Sequence, residues 1–364
     1  LAFGAPLWSR GLGDVYKRQH LHGILSGRAM FSNLKQEDLK FLPSKGLVHD
    51  HIQIAANRLG CSPMIIRLPR LSQFELNPNK NLEYQAACFS KASLSNHTPK
   101  LIVVLEPSKF LPMGALVVEE IKGKSINLPQ DLTEMAKCFA QVHSLEVPDN
   151  YEQYPLICHS DPIAGVIKII NDQSKFINGV TDNSQVRKVL SEEITWARNF
   201  ASRHVNHHPP PRLCLTDTHP GNFMIDTSGK VYFVDLEKAL YGSPAIDLGH
   251  ATILTSTLWD FDVQAKLSRV DIINFYQAYL KFLPVNLQDE IRPWLLPMRR
   301  LAWLRSVTWS CKWSAGQHNS KRIETGVRAQ IQTHISNRLA AFVDLETILS
   351  IRSEWVGPNQ LVLT

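Results

Sequence analysis

The sequence has little of what extracellular, membrane-spanning or nucleic-acid-binding chains usually contain. Its six cysteines are scattered over 364 residues without a Cys-x-x-Cys pair, which argues against a disulfide frame or a zinc site. No uninterrupted apolar run reaches the roughly 18–20 residues of a membrane span. The formal charge of +6 is mild, and no dense run of lysines and arginines is present. We therefore expect a cytoplasmic protein with reduced thiols and neither a membrane nor a nucleic-acid partner.

What is present is an ordinary globular composition in a chain long enough for two lobes and a sizeable core. Apolar residues make up 44% of the chain and charged residues 20%. The first nineteen residues are different, because the chain opens at Leu1 and residues 9–19 resemble translated adapter sequence found in assembled environmental DNA. We exclude residues 1–19 from fold reasoning as non-native. On this interpretation the native start is missing, and an incomplete N-terminal lobe is one expectation.

One stretch organises the rest of the chain. Residues 213–215 predict a buried strand end, and the loop after it contains Pro220 and Gly221, which favour a turn. Residues 223–225 and 231–234 predict two apolar strands around a Thr-Ser-Gly turn. The second strand returns the chain towards the loop, so the polar residues in the loop and after this strand are expected to lie close together.

The polar residues that this layout gathers at one end of a small sheet are Asp217, His219, Asn222 and Asp235. Asp217 and Asn222 have the D-x-x-x-x-N spacing of a kinase catalytic loop, and Asp235 follows after the hairpin. Phosphoryl transfer needs one carboxylate for the attacking hydroxyl, and an amide oxygen with a second carboxylate for magnesium. A single turn of this kind is usually only a turn, but the ordered series favours the kinase-like interpretation.

These residues, with residues 234–237, 241–244 and 247–248, resemble the aminoglycoside phosphotransferase and choline kinase family. The resemblance implies an α+β, bilobal protein-kinase-like fold with a small β-rich N-lobe and a larger, mainly helical C-lobe. It also implies an ATP- and Mg²⁺-dependent transfer of the γ-phosphate to a hydroxyl of a small molecule. The family's loop usually begins His-Gly-Asp, whereas Leu215 and Thr216 stand at the first two places. A histidine that braces the loop in the family is therefore absent.

The resemblance divides the chain into an N-lobe over residues 20–118, a hinge over 119–126 and a C-lobe over 127–364. It implies that the nucleotide, ATP or GTP, lies between the lobes. The backbone of the hinge, at Glu120 and Ile121, is expected to bind the nucleotide base. Oligomeric state is left open.

The resemblance also implies a role for each polar residue of the loop. Asp217 is expected to orient the acceptor hydroxyl and accept its proton, and His219 to contact the transferring phosphate. Asn222 and Asp235 are expected to hold Mg²⁺, and Asp247 to brace the loop from below.

In the N-lobe, residues 64–68 predict a strand that carries Arg67, which stands where the family has a cation for the nucleotide phosphates. Glu83 is the carboxylate expected to orient it, and the alternative is two separate surface charges. Ser44 and Gly46 stand where the family has a loop that covers the phosphates. Because only one glycine is present there, an ordinary hairpin loop is the favoured alternative.

The remaining segments are predicted mainly as helices. Apolar residues recur at helical spacing over residues 82–89, 132–142 and 186–201, and residues 252–364 also read as helical. Within the last segment, residues 294–313 combine tryptophans with arginines. The family implies a substrate wall there, and a helical core with snorkelling arginines is the alternative.

Two other functions compete with a small-molecule kinase. A catalytically decayed kinase fold that binds nucleotide or acts as a scaffold would explain the missing loop histidine and the glycine-poor loop. A protein kinase is less favoured, because Leu236 and Glu237 replace the Phe-Gly that follows the metal-binding Asp. The acceptor is left open among aminoglycosides, choline, sugars, amino alcohols and vitamin precursors, since one fold hosts many substrates.

Overall fold

The chain forms two compact units of unequal size in a computed structural model that describes residues 7–43, 48–55, 62–150, 155–317 and 327–363. The smaller unit comprises residues Leu1–Ser93 and Pro99–Lys122, and the larger comprises Leu94–Thr98 and Gly123–Thr364. The boundary after Lys122 falls within the segment 119–126 that the sequence suggests as a hinge. The short segment 94–98 belongs to the larger unit, a detail that the sequence does not indicate.

The smaller unit is built on a five-stranded antiparallel sheet with the strand order β1-β2-β3-β5-β4. Its strands are β1 (Leu39–Phe41), β2 (His49–Ile54), β3 (Met64–Pro69), β4 (Leu101–Leu105) and β5 (Ala115–Glu119), and its helices are α1 (Leu7–Ser26) and α2 (Pro78–Ala92). The strand predicted over residues 64–68 and the helix predicted over 82–89 are both confirmed.

Local sequence explains why these elements form and pack. Helix α2 begins where Asn77 accepts a hydrogen bond from the Lys80 backbone N–H through its side chain, and Pro78 occupies the first helical position. Helix α1 runs through the segment excluded above as non-native and continues to Ser26. Its Leu21 and Leu25 are fully buried in the core formed with the sheet.

The larger unit is mainly helical and carries two small sheets. Its helices are α3 (Leu132–His143), α4 (Pro162–Ser174), α5 (Ser184–Arg203), α6 (Pro244–Thr252), α7 (Leu254–Thr257), α8 (Arg269–Phe282), α9 (Val285–Ile291), α10 (Leu295–Gln317), α11 (Val327–Phe342) and α12 (Leu345–Arg352). Its strands are β6 (Gly123–Ser125), β7 (Arg212–Cys214), β8 (Phe223–Asp226), β9 (Val231–Phe233) and β10 (Leu240–Gly242). One sheet has the order β6-β8-β9, and the other pairs β10 with β7.

The β8–β9 hairpin confirms the two strands predicted around the Thr-Ser-Gly turn. Gly229 closes the turn with φ +84°, a conformation that side chains other than glycine rarely adopt. Phe223 lies opposite Phe233 across the hairpin, and both rings are fully buried. Phe139 of α3 packs against Phe223 at a centroid distance of 5.4 Å, so the hairpin is fixed to the helical core of the unit.

Helix α6 starts at Pro244 as its sequence predicts, with Ser243 in the capping position, although the Ser243 side chain makes no capping hydrogen bond. Five described cysteines are free thiols, whereas Cys61 lies outside the described residues. No helix in the described ranges is both long enough and apolar enough to cross a lipid bilayer.

Candidate active site

The loop after β7 (residues 215–222, here the Asp217 loop) begins with a tight turn in which one residue has a left-handed backbone conformation. Thr216 has φ +66°, and the Asp217 backbone N–H donates to the Leu215 carbonyl at 2.9 Å. A β-branched residue in this region costs about 1–3 kcal/mol, so surrounding contacts must hold the conformation. Thr216 stands where the family usually has glycine, the residue that adopts this conformation without strain.

Three hydrogen bonds hold Thr216 in place. Its backbone N–H donates to Asp247 Oδ1 at 2.9 Å, and its hydroxyl donates to the Lys238 carbonyl at 2.9 Å. Its own carbonyl accepts from Arg305 Nη2 at 3.4 Å. The loop is therefore anchored by residues from three other parts of the larger unit.

Asp247 is the central anchor of the Asp217 loop. In addition to the Thr216 N–H, it accepts the Leu215 backbone N–H at 2.5 Å, and its side chain is fully buried. His143 Nε2 lies 3.2 Å from Asp247 Oδ2, and His143 Nδ1 lies 2.9 Å from the Tyr279 hydroxyl. The brace that the resemblance assigned to Asp247 is confirmed by these contacts, and a histidine of α3 supports it from behind.

Thr218 adds a second layer to this support. Its hydroxyl donates to the Asp247 carbonyl at 2.9 Å, and His250 Nδ1 lies 3.2 Å from the same hydroxyl oxygen. Because the Thr218 hydroxyl proton is already donated to Asp247, the hydrogen bond between Thr218 and His250 requires a proton on His250 Nδ1. Burial, followed by the positive charge of Arg305, lowers the pKa of His250 to about 3, so the imidazole is neutral.

Asp217 forms an ion pair that the sequence did not reveal. Lys238 Nζ donates to Asp217 Oδ2 at 2.7 Å, and each side chain is 29% exposed. Burial by itself raises the pKa of Asp217, but the opposing contributions, led by the positive charge of Lys238, outweigh it and hold the pKa well below its usual range. The pKa of Lys238 is raised, because the attraction of Asp217 exceeds the effect of burial. Asp217 is therefore a carboxylate at any physiological pH.

Asn222 connects the Asp217 loop to the strand that leads to Asp235. Its side-chain Nδ2 donates to the backbone carbonyl of Asp217 at 2.8 Å, and the backbone carbonyl of Asn222 accepts the Val234 backbone N–H at 3.0 Å. Because Nδ2 is used in this bond, the amide oxygen is the atom that can serve as a ligand. An amide oxygen and a carboxylate, which Asn222 and Asp235 would supply, are ligands of the kind that Mg²⁺ prefers.

His219 and Gly221 form the outer part of the loop. The His219 backbone carbonyl accepts the Asn222 backbone N–H at 3.0 Å. The Nδ1 atom of His219 is buried and has no hydrogen-bond partner within the described residues. A methyl group placed on Gly221 would overlap the Asp260 carboxylate, so glycine allows Asp260 to pack directly against the loop.

In the smaller unit, Arg67 lies on β3 and is buried, and its guanidinium lies 5.3 Å from the ring centroid of Phe89 on α2. Glu83 lies on the exposed face of the same helix. The orientation of Arg67 by Glu83 stays a prediction.

Of the other residues predicted to contact the nucleotide, two lie within the described residues and two do not. Glu120 follows β5, and its Oε1 accepts a hydrogen bond from Gln53 Nε2 at 2.6 Å. Ile121 is half-buried. Ser44 and Gly46 lie outside the described residues, so their predicted role in covering the phosphates stays a prediction.

Sequence reasoning missed several residues around Asp217. His250 lies three residues after Asp247 on α6, and this helical spacing places both on one face, a signal that was available. No spacing connects Lys238 or Arg305 with Asp217, although Arg305 lies in the segment 294–313 for which a substrate wall was one expectation. Lys238 reaches Asp217 from the turn after β9, and Arg305 approaches the loop from a helix nearly ninety residues further along the chain.

Comparison with known proteins gives an independent view of the same chain. The family model described as "Phosphotransferase enzyme family" matches residues 58–282, which is more than half of the chain. No curated protein sequence matches the chain.

Solved structures of kinases resemble the chain over most of its length. An ethanolamine kinase of Plasmodium vivax is 16% identical with a TM-score of 0.56, covering 87% of this chain and 85% of its own. A choline kinase of Cryptosporidium parvum is 14% identical with a TM-score of 0.58, and the match covers 93% of this chain and 96% of the choline kinase. The GDP complex of aminoglycoside 2'-phosphotransferase-IIIa is 13% identical with a TM-score of 0.59, covering 93% and 99%. The predicted protein-kinase-like fold is therefore confirmed.

Proposed function

Because the chain belongs to the phosphotransferase enzyme family, we propose that it transfers the γ-phosphate of ATP or GTP to a hydroxyl of a small molecule. The observation that supports this proposal is the hydrogen-bonded link from the Asp217 backbone carbonyl through Asn222 to the Val234 backbone N–H, which connects the loop that carries Asp217 to the residue before Asp235. The family assignment supports phosphotransferase chemistry in general. The cysteine pattern supports a cytoplasmic location.

In the proposed reaction, Asp217 receives the acceptor hydroxyl. Lys238 occupies Oδ2, so Oδ1 is the oxygen that accepts the hydroxyl proton. The acceptor oxygen forms a bond to the γ-phosphorus while the bond to the leaving diphosphate oxygen breaks. The low pKa of Asp217 suits a group that orients the hydroxyl and accepts its proton late in the step.

Asn222 and Asp235 would hold Mg²⁺ through the amide and carboxylate oxygens, and the ion would neutralise charge on the phosphates. His219 would contact the transferred phosphate, the role that the family resemblance implies for it. From the smaller unit, Arg67 would bind the nucleotide phosphates, with Glu120 and Ile121 expected to bind its base. Positioning and charge neutralisation then supply the rate acceleration.

A decayed scaffold is the competing function, and its sequence support was the absence of the loop histidine. Two backbone hydrogen bonds to Asp247, backed by His143, give the loop a fixed geometry without that histidine. The retained carboxylate, amide and metal-binding positions therefore favour an active enzyme.

The proposal is tested by thermal-shift titration with ATP or GTP, with and without Mg²⁺, followed by assays of ADP or GDP release with hydroxyl acceptors. Nucleotide at 100 times its dissociation constant should stabilise the protein by roughly 2.7 kcal/mol. We expect Asp235→Ala to lose the Mg²⁺-dependent shift, and Asp217→Asn to keep it while abolishing transfer. A folded protein that shows no shift with any nucleotide would favour the scaffold, and wild-type transfer by Asp217→Asn would refute the assigned base.

A further inference from the structure

Helix α10 extends a stripe of side chains away from the Asp217 loop. Arg305, Trp309 and Trp313 are spaced by four residues, so they lie on one face of the helix. Arg305 is at the loop end, where it donates to the Thr216 carbonyl. Trp309 is 36% exposed, and Trp259 packs against it edge-on at a centroid distance of 5.4 Å. The stripe therefore combines a cation beside the candidate base with an aromatic wall beyond it.

The Arg305 guanidinium has hydrogen-bonding capacity to spare. It carries five N–H donors, and among the described residues its single hydrogen bond is the 3.4 Å contact with Thr216. Burial lowers the pKa of Arg305 more than the charges of Asp247 and Asp217 raise it. A half-buried guanidinium whose charge is incompletely balanced is a ready partner for a carboxylate or phosphate, which it can bind through two parallel hydrogen bonds.

The groups beside Arg305 are also suited to an anion. Burial, followed by the charge of Arg305, lowers the pKa of both His159 and His250, so the two imidazoles are neutral and do not repel an anion bound at Arg305. His159 packs over Gly165 of α4, where any side chain would overlap the imidazole. Lys168 of the same helix is exposed and close enough to lower the pKa of His159 further.

The carboxylates next to the loop are mostly engaged. Asp217 is paired with Lys238 through Oδ2, and Asp247 accepts two backbone N–H groups. Asp260, which packs against Gly221, accepts the backbone N–H groups of residues 262 and 263 through Oδ1, and within the described residues no hydrogen bond to its Oδ2 is found. Asp260 is thus the residue that would favour an amine-bearing acceptor, and it serves as the comparison for Arg305.

We propose that the acceptor is a hydroxyl compound with a carboxylate or phosphate group a few bonds from the reactive hydroxyl, bound by Arg305 and packed against Trp309. This inference rests on the proposed phosphotransferase function. The anion binds Arg305 while the hydroxyl reaches the free oxygen of Asp217, since Arg305 contacts the residue next to Asp217 in the chain. The tryptophan faces cover the apolar part of the acceptor. The hydroxyl proton passes to Asp217 as the new O–P bond forms and the bond to the leaving diphosphate breaks.

Two sets of small molecules that differ in charge but share a carbon skeleton test the proposal. The three-carbon set is D-glycerate, glycerol and 2-amino-1,3-propanediol; the sugar set is glucuronate, glucose and glucosamine, with glucose 6-phosphate as the phosphate arm. Binding to the protein with ADP and Mg²⁺ is measured by calorimetry, and transfer is measured with ATP. We expect the anionic member of at least one set to bind about ten times more tightly than the neutral one, which corresponds to about 1.4 kcal/mol.

Matched variants identify the residue responsible. Arg305→Gln should reduce the preference for the anion to threefold or less, Arg305→Lys should retain part of it, and Asp260→Asn should leave it unchanged. Each variant is first shown to be folded by its melting transition and by Mg²⁺-dependent ADP binding. An unchanged preference in folded Arg305→Gln, tighter binding of the amines, or no binding by any compound would overturn the inference. Transfer to the amines alone would refute the anionic acceptor but keep the kinase, whereas anion-selective binding without transfer would refute only the kinase.

Discussion

Lys238 Nζ lies 2.7 Å from Asp217 Oδ2, so the candidate base carries a built-in counter-charge. The lysine comes from the turn that follows β9, three residues after the proposed metal ligand Asp235. The short segment after β9 therefore carries both the carboxylate proposed to bind Mg²⁺ and the cation that pairs with Asp217. The pair leaves one oxygen of Asp217 for an acceptor and holds the carboxylate ionised.

Replacing Lys238 should affect the catalytic step more than nucleotide binding. We expect Lys238→Met to lower kcat by about 10- to 100-fold, because the base loses the contact that fixes its orientation. The acid limb of the pH–rate profile should move to higher pH, since burial then raises the pKa of Asp217 without opposition from Lys238. Lys238→Arg, which keeps the charge, is the control. An unchanged pH profile in the Met variant would show that the pair has only a structural role.

Asp247→Asn should weaken the fold measurably. The carboxylate is fully buried and accepts two backbone N–H groups, and an asparagine amide would leave at least one buried donor poorly matched. We expect a loss of about 2–4 kcal/mol in the free energy of unfolding, measured by denaturant titration. Asp172→Asn is the matched control, because the Asp172–Lys175 pair is 63% and 71% exposed and should contribute less than about 0.5 kcal/mol. Equal effects for the two variants would contradict the bracing role of Asp247.

Two helical glycines should respond to alanine in opposite directions. A methyl group on Gly249 of α6 would lie 2.9 Å from the Arg299 Cα of α10, so Gly249→Ala should destabilise the crossing of these helices by about 1–3 kcal/mol. Apart from its chain neighbours and its own helix backbone, no described residue has an atom within 4 Å of the position of a methyl group added to Gly316. Gly316→Ala should therefore stabilise the protein by up to about 1 kcal/mol through helix propensity. Paired thermal unfolding curves measure both, and destabilisation by Gly316→Ala would show that the helix end is more crowded than the geometry indicates.

His250 should make the protein sensitive to mild acid. Its pKa falls from 6.5 to about 3 on folding, so between these values the unfolded chain binds a proton that the folded chain does not. Stability is then lost as the pH falls through this window, by up to about 1.4 kcal/mol per pH unit for this one group. Asp217 acts in the same direction, but only below its ordinary value of 3.8.

We expect His250→Asn, whose amide can still donate to Thr218, to flatten the dependence of unfolding free energy on pH between about 4 and 6.5. His97 and His159 also have lowered pKa values, so a residual slope remains in the variant. The difference between wild type and variant isolates His250. Parallel curves for the two proteins would show that His250 is protonated in the folded state.

The fold and the position of the site could be predicted from local sequence because they depend on local signals. The strands at residues 64–68, 223–225 and 231–234 follow from short apolar runs between turn residues, and helix α6 starts at a Ser-Pro pair. Helix α4 was not predicted, since residues 146–185 are polar and show weak periodicity. The environment of Asp217 was only partly predicted, because Lys238 and Arg305 contact the loop, and His143 contacts its anchor Asp247, from positions that no spacing rule connects to it.

The sequence by itself determined the family, the order of the carboxylates and amide in the loop, and the fold that goes with them. Those features depend on spacings of a few residues, and over so short a distance covalent geometry limits the conformations that the chain can adopt. Only the tertiary structure decided how the loop holds a strained threonine at the usual place of glycine, and which charges surround Asp217. Both depend on residues that converge from the turn after β9 and from helices α6 and α10. Their burial sets the pKa values and hydrogen bonds that chain position alone cannot reveal.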